Sequence, residues 1–293
     1  MPTTAMTTVT SEPTGTIAHL AQIWSYRELL SGLVRKELKV KYKNSSLGFL
    51  WSMLNPALYL VVFYLVFQVF LRSGIPRFPI YLLSGLLVWN FFSGSLAAST
   101  GAITGNSSLV NKVYFPREIL PLAAVGATLV HFFLQALVLV GALLVFRQPV
   151  PWAYIWLVLP ALIVLIILTS ALSILLSAVN VYARDTQHLL ELALLAWFWM
   201  TPVVYQYRLM ADTLRNRDWP EWLVLLNPVV AITTSFQRGI YGTVATADTT
   251  ILPGYGQWWY LRNLGFVALV SVALFVFAMR VFDRLQGNFA EEL

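Results

Sequence analysis

Long apolar stretches separated by short polar segments make up most of the chain. Leu47–Leu71, Ile119–Phe146 and Gln148–Ala183 contain no Asp, Glu, Lys or Arg. Each is longer than the roughly 20 apolar residues that a transmembrane helix needs. In lipid such a stretch must be helical, because a lone strand would leave its backbone polar groups unpaired. The pattern therefore predicts an all-α integral membrane protein.

The apolar pattern predicts six transmembrane helices. The predicted spans are Leu47–Leu71, Ile80–Gly101, Ile119–Phe146, Trp152–Val181, Leu189–Val204 and Asn263–Phe282. A further apolar segment, Trp222–Gln237, is short for a span and is broken by Asn227-Pro228. It predicts a re-entrant or gate helical hairpin between spans five and six, since irregular backbone at membrane depth must be covered by protein or line a cavity. A seventh span is the alternative.

An amphipathic helix is predicted ahead of the first span, over residues 24–46. From Trp24 to Tyr42, apolar residues recur at steps of three and four, and Lys, Arg and other polar residues fill the opposite side. This pattern is typical of a helix lying in the membrane interface, with an ordinary surface helix as the alternative. Residues 1–23 are Thr-rich and lack the basic start and apolar core of a signal peptide, which predicts a disordered cytoplasmic tail. Residues 47–293 form a single transmembrane domain.

Positive charge sets the predicted orientation. Lys and Arg concentrate just before the first span, which predicts a cytoplasmic N-terminus. Six crossings return the C-terminus to that side, make Asn106–Glu118 and Tyr182–His188 cytoplasmic turns, and leave Tyr205–Arg262 outside. The candidates for contact with lipid head groups are Arg35, Lys36, Lys39, Lys41 and Lys43.

Composition excludes several classes of function. The chain is 58% hydrophobic and only 11% charged, whereas soluble domains carry about 25% charged residues. The absence of cysteine rules out disulfides and thiolate metal ligands, and a net charge of +6 fits anionic lipid better than nucleic acid. No GxxxxGK[ST] phosphate loop and no metal-binding histidine spacing occur. His131, within span three, is interpreted as an interior or interhelical hydrogen-bonding residue rather than a proton relay.

A compact charged segment, Asn111–Glu118, separates spans two and three. Glu118 is the sole carboxylate between Glu37 and Asp185. Ser107 and Ser108 are predicted to cap a short helix that ends at Pro116. Tyr114 and Phe115 are then expected to be exposed between basic residues, an arrangement that suits a socket on another protein. A merely solvated turn is the alternative, here and at Val181–Glu191.

The order of several motifs resembles a known family. They are LGFLWSMLNPALYLVVF (Leu47–Phe63), NKVYFPREILPL (Asn111–Leu122), ARDTQHL (Ala183–Leu189), TPVVY (Thr201–Tyr205) and LNP followed by Arg (Leu226–Arg238). With the basic amphipathic N-terminus, the chain is similar to the permease subunit of type 2 ABC exporters of polysaccharides and polyol phosphates. That family includes the O-antigen, capsule, teichoic-acid and cell-wall glycan exporters.

The resemblance implies a transport permease rather than an enzyme, without a cofactor or metal of its own. Two copies of a separate ABC ATPase subunit would supply ATP and magnesium, and two copies of this chain would form a homodimer with the pore at its interface. The implied location is the bacterial plasma membrane, and the implied cargo is a lipid-linked polysaccharide. The residues implied to couple to the ATPase are Asn111, Lys112, Tyr114, Phe115, Pro116, Arg117, Glu118, Arg184, Asp185 and His188.

Aromatic residues are the candidates for the substrate path. Sugars stack their CH faces on rings, and rings without fixed charge would let a polymer slide. The candidates are Tyr59, Phe63, Phe67, Trp89, Phe92, Trp197, Trp199 and Tyr205. Core filling and interface anchoring are the alternatives for each. For the whole chain, the alternatives are an exporter of a small lipid or drug, a membrane enzyme acting on lipid-linked sugars, and a passive scaffold.

Overall fold

The chain folds as a helical bundle in a computed structural model that describes residues 16–43, 50–246 and 250–293. Within these residues the sole β contact is an isolated antiparallel bridge between Ala245 and Thr250, so the all-α prediction is confirmed. The helices are α1 (Thr16–Ser25), α2 (Arg27–Tyr42), α3 (Leu50–Tyr64), α4 (Phe78–Thr100), α5 (Ser107–Lys112), α6 (Ile119–Val145), α7 (Val158–Tyr182), α8 (Thr186–Trp199), α9 (Tyr207–Arg215), α10 (Pro228–Ile240), α11 (Gln257–Leu285) and α12 (Phe289–Glu292).

Four helical segments of the described chain are long and apolar enough to cross a membrane. They are Phe78–Thr100, Ile119–Val145, Ile155–Tyr182 and Gln257–Asn288, and they correspond to predicted spans two, three, four and six. Residues 47–49 of predicted span one lie outside the described residues, and the rest is the helix α3, which contains Pro56 and continues as a π-helical segment, Leu65–Phe70. Predicted span five is the 14-residue helix α8.

The predicted end of span five, Val204, was wrong. The helix α8 ends at Trp199, and Thr201–Val204 form a buried irregular segment. Pro202 explains the early end, because its ring disfavours helical backbone at the preceding residue and it has no N–H to donate. Near this end of α8, the Thr201 hydroxyl donates a hydrogen bond to the Trp197 carbonyl oxygen at 2.9 Å.

The N-terminal region is helical from Thr16, so the predicted tail ends earlier than residue 23. Residues 1–15 lie outside the described part of the chain. Ile23 and Leu33 are buried in an apolar cluster with Phe115, which explains why this region is ordered as helix. The helix α2 packs against α6, where a Cβ on Gly126 would lie 2.8 Å from a Val34 methyl carbon. Residues 44–46 of the predicted amphipathic helix are outside the described residues.

The centre of the bundle is formed by α4 and α10. Most residues of α4 are buried, as expected of a helix that is apolar on every side. The helix α10 packs against α4, α7 and α11. Asn227 caps α10 by accepting a hydrogen bond from the Val229 N–H at 3.1 Å, and Pro228 opens the helix. The segment Trp222–Gln237 is therefore a 3-10 turn, Glu221–Leu226, followed by α10.

Candidate functional site: an aromatic cavity and two exposed turns

A cavity of about 860 Å³ lies among α2, α3, α4, α6 and α8. Its volume falls within the roughly 300–1,000 Å³ that is usual for small-molecule sites. Aromatic side chains dominate the wall: Trp51, Tyr59, Phe63, Trp89, Phe91, Phe132, Phe198 and Trp199. Predicted spans one and five thus meet at one cavity, whose aromatic wall suits an apolar or amphipathic ligand.

Phe198 joins the aromatic wall of the cavity. Its ring centroid lies 6.0 Å from that of Phe63, 5.4 Å from that of Trp89 and 5.4 Å from that of Trp199. Tyr59 stacks on Phe63 at 6.1 Å, with an interplanar angle of 17°. The contact between Tyr59 and Phe63 follows from their spacing, which places both rings on one face of α3. The rings therefore form a continuous surface across three helices.

Hydrogen-bonding groups interrupt the aromatic wall on the α4 and α6 sides. The Asn90 amide donates to Gln135 Oε1 at 3.1 Å, and Tyr42 Oη lies 3.0 Å from His131 Nδ1. The interpretation of His131 as an interhelical hydrogen-bonding residue is confirmed. Sequence reasoning missed Asn90 and Gln135, although polar residues inside apolar spans are a usable signal of an interior site. Aromatic rings can stack on the CH faces of a sugar, and amides and hydroxyls can form hydrogen bonds with its hydroxyl groups. This combination therefore suits a sugar.

Two charged residues, Lys41 and Glu191, also line the cavity. Lys41 is near the end of α2, and Glu191 is near the start of α8. Desolvation lowers the pKa of Lys41 from its usual value. The cavity therefore offers one group of each charge to a polar ligand.

The predicted path residues divide into two sets. Tyr59, Phe63, Trp89 and Trp199 line the cavity. The others lie around it and make packing or hydrogen-bonding contacts. Phe67 stacks on Phe78, Phe92 meets the Trp197 ring edge-on, the Trp197 indole donates to Asn227 Oδ1, and the Tyr205 hydroxyl donates to the Trp199 carbonyl. A role for any of them in transport stays a prediction.

The first turn, residues 107–118, differs from the prediction at Phe115. Tyr114 is 79% exposed, as expected, but Phe115 is only 5% exposed. The expectation of two exposed rings was therefore wrong, because Phe115 belongs to the buried cluster that contains Ile119, Phe282 and Phe289. The predicted serine cap is also absent: Asn106 is the N-cap of α5 and makes no capping side-chain hydrogen bond. Pro116 and Glu118 are buried, while Asn111 and Lys112 are exposed.

The second turn, residues 182–188, presents its predicted residues outward. Arg184, Asp185 and His188 are all exposed. Among the residues that the structure describes, no group of three or more His, Cys, Asp and Glu side chains could hold a metal ion. Contact of either turn with another molecule stays a prediction.

The predicted head-group residues lie on α2 and at its end. Arg35, Lys39, Lys41 and Lys43 are exposed. Lys36 is exposed too, and it donates a hydrogen bond to Asn106 Oδ1 at 2.6 Å, which ties α2 to the segment before α5. Contact with lipid stays a prediction for the whole set.

Comparison with known proteins gives similarity over nearly the whole chain. A family model described as ABC-2 type transporter matches residues 28–241. The chain is 35% identical to the O-antigen export system permease protein RfbA of Myxococcus xanthus, covering 93% of this chain and 98% of that protein. It is 28% identical to an RfbA of Klebsiella pneumoniae, covering 91% and 95% respectively. A polysialic acid transport protein, KpsM of Escherichia coli, is 31% identical over 84 residues, 28% of this chain and 33% of KpsM.

Proposed function

Because the chain belongs to the ABC-2 type transporter family, we propose that it is the membrane permease of a polysaccharide exporter. The cargo is a lipid-linked glycan that crosses the plasma membrane from the cytoplasmic side. The observation that carries this proposal is the cavity between α3, α4, α6 and α8, where stacked rings alternate with amide and hydroxyl groups. The O-antigen permeases that match almost the full chain support the same cargo class.

The cavity suits a sliding polymer better than a tightly held ligand. The aromatic rings of the cavity wall, such as those of Phe63, Trp89 and Phe198, carry no charge. Each ring–sugar contact is weak and can be exchanged for the next one as the chain advances. Among the described residues that line the cavity, only Lys41 and Glu191 carry a fixed charge, so neutral sugar units meet no strong trap along the aromatic wall.

Energy for export comes, in this proposal, from a separate ATPase subunit that docks on the two turns. The exposed Tyr114 and the exposed residues Arg184, Asp185 and His188 form the contact surface. Buried Phe115 anchors the first turn to the bundle instead of touching the partner. ATP-driven closure of the partner would push both turns and rock the permease.

The proposed topology has six crossings with both termini in the cytoplasm. It counts α3 with its π-helical continuation, and α8, in addition to the four long helices. The helix α10 is then a re-entrant element on the outer side, covered by α4, α7 and α11, as non-spanning backbone at membrane depth requires.

A second copy of the chain completes the proposed pore. Trp51, Leu58, Leu195 and Trp199 line the cavity and yet remain exposed. The cavity therefore opens along the side formed by α3 and α8. A partner copy placed there would close it and provide a second aromatic wall.

Depletion of the protein in its native cells tests the cargo class. The proposal expects one lipid-linked glycan to accumulate in the cytoplasmic leaflet, detected by extraction and mass spectrometry. Re-expression of the native chain should clear it. Retention of a small lipid or drug, with no glycan accumulating, would contradict the proposal and favour the small-molecule exporter.

A further inference from the structure

Both exposed turns are attached to one short segment, Leu285–Phe289. This segment contains the end of α11, the 3-10 turn Gln286–Asn288 and the first residue of α12. On the side of the first turn, the Arg117 guanidinium donates to the Gln286 carbonyl oxygen. The same guanidinium carbon lies 5.8 Å from the centroid of the Phe289 ring, within the range of a cation–π contact.

The second turn holds the same segment from the other side. The Tyr182 hydroxyl donates to the Leu285 carbonyl oxygen at 2.6 Å. The Tyr182 ring lies 6.1 Å from the Phe289 ring, centroid to centroid. Phe289 thus contacts a residue of each turn, although Arg117 and Tyr182 are far apart in sequence.

Phe289 is also fully buried. Its ring meets Phe282 edge-on at 5.4 Å, and it belongs to the apolar cluster that contains Phe115 of the first turn and Val181 beside the second. These two hydrogen bonds give the Arg117 guanidinium and the Tyr182 hydroxyl an acceptor each, and the Gln286 carbonyl oxygen also accepts from the Phe289 backbone N–H. The contacts therefore satisfy polar groups as well as bury apolar surface.

We propose that Leu285–Phe289 is a brace that holds the two turns in a fixed relative position, with Phe289 as its central positioning residue. The brace makes the turns one unit, so that a push on either is transmitted to the other and to α11. The link to a docked ATPase rests on the proposed function. The brace itself is a property of this chain alone.

Hydrogen exchange of the purified permease tests the brace without any partner. Phe289→Ala is expected to speed exchange of the amides in both turns, 107–118 and 182–188, by roughly tenfold, because local opening becomes easier. Phe289→Leu, which keeps apolar bulk, should restore most of the protection. Faster exchange in only one turn, or in neither, would overturn the proposal.

Tyr182→Phe provides a milder variant if Phe289→Ala opens the whole bundle. It removes one hydroxyl and should speed exchange in the second turn and, through the segment, in the first. Tyr260→Phe is the matched control, because its hydroxyl donates to the Pro253 carbonyl at the same 2.6 Å, beside the other end of α11. If the amides of the two turns exchange at the same rate in Tyr182→Phe as in Tyr260→Phe, the brace proposal is overturned.

Coupling is then measured with the partner ATPase present. ATP hydrolysed per glycan exported should rise at least threefold in Phe289→Ala and return toward the native ratio in Phe289→Leu. An unchanged ratio alongside loosened turns would overturn the role of the brace in coupling. If the native chain neither stimulates hydrolysis nor exports glycan, the proposed function fails, while the exchange result still decides the brace.

Discussion

Tyr59 and Tyr64 lie on the same helix with similar exposure, 45% and 42%, but Tyr59 lines the cavity and Tyr64 is outside its lining. Tyr59 also stacks on Phe63. In the proposed substrate path, a ring in the wall would offer a stacking surface to sugars, whereas a ring outside the wall would not. Comparing variants of Tyr59 and Tyr64 therefore distinguishes a role in the substrate path from a general role of aromatic residues in a membrane helix.

Tyr59→Leu is expected to slow polysaccharide export by roughly threefold to tenfold, since one aromatic contact contributes about 0.5–1.5 kcal/mol. Tyr64→Leu should leave the export rate unchanged. Export is measured in membrane vesicles at equal amounts of each variant. Equal losses in the two variants would contradict a path along this wall.

Tyr114 is the residue that best tests docking at the first turn. It is 79% exposed, and its replacement by Ala leaves the buried Phe115 in place. Tyr114→Ala should lower the affinity for the ATPase subunit and reduce export without lowering the thermal stability of the permease. Trp152→Ala, at a position 78% exposed outside both turns, is the control and should retain affinity. Native affinity in Tyr114→Ala would remove this residue from the interface.

At the scale of elements, the close approach between α4 and the segment after α8 depends on Gly85. A Cβ at this position would lie 2.9 Å from Gln237 Nε2 and 3.1 Å from the Val203 carbonyl oxygen. Gly94, on the same helix, has room: its Cβ would lie 3.9 Å from a Thr128 methyl carbon. The buried segment that ends α8 therefore packs on α4 only if residue 85 has no side chain.

Gly85→Ala should lower the unfolding temperature, because overpacking costs about 1–3 kcal/mol and the backbone carbonyl of Val203 has little freedom to move. Gly94→Ala should match or exceed the native temperature, since alanine favours helix by up to about 1 kcal/mol over glycine. Thermal unfolding in detergent measures both. Equal unfolding temperatures in the two variants would contradict the close approach between α4 and the segment after α8.

At the scale of the whole molecule, the dimer proposal predicts which faces meet. The chain contains no cysteine, so a single introduced thiol reports one position. Leu195→Cys, at a position 63% exposed on the cavity side of α8, should give a cross-linked dimer with a short thiol-reactive linker. Leu269→Cys, at a position 73% exposed on α11, should give no cross-linked product under the same treatment. Cross-linking of Leu269→Cys but not of Leu195→Cys would place the dimer interface elsewhere.

Sequence patterns predicted the helical class and the four long spans because an uninterrupted apolar run has few other solutions in lipid. The resemblance to polysaccharide-export permeases is confirmed by the ABC-2 type transporter match together with the similarity to O-antigen export permeases. Periodicity could not predict that Phe115 turns inward, since that depends on the distant Phe282 and Phe289. The pairing of Asn90 with Gln135 also needs two helices in register. Pro202 was a readable signal for the end of α8.

Transport into inside-out vesicles tests whether this chain moves a polysaccharide across the membrane in an ATP-dependent manner. Vesicles containing the permease and its ATPase subunit receive a labelled lipid-linked polysaccharide on the outer, cytoplasmic face. If the chain is a polysaccharide permease, the glycan becomes protected from added glycosidase only when ATP is present, and vesicles lacking this chain show no protection. Protection without ATP, or ATP-driven movement of a small lipid with no movement of the polysaccharide, would contradict this function.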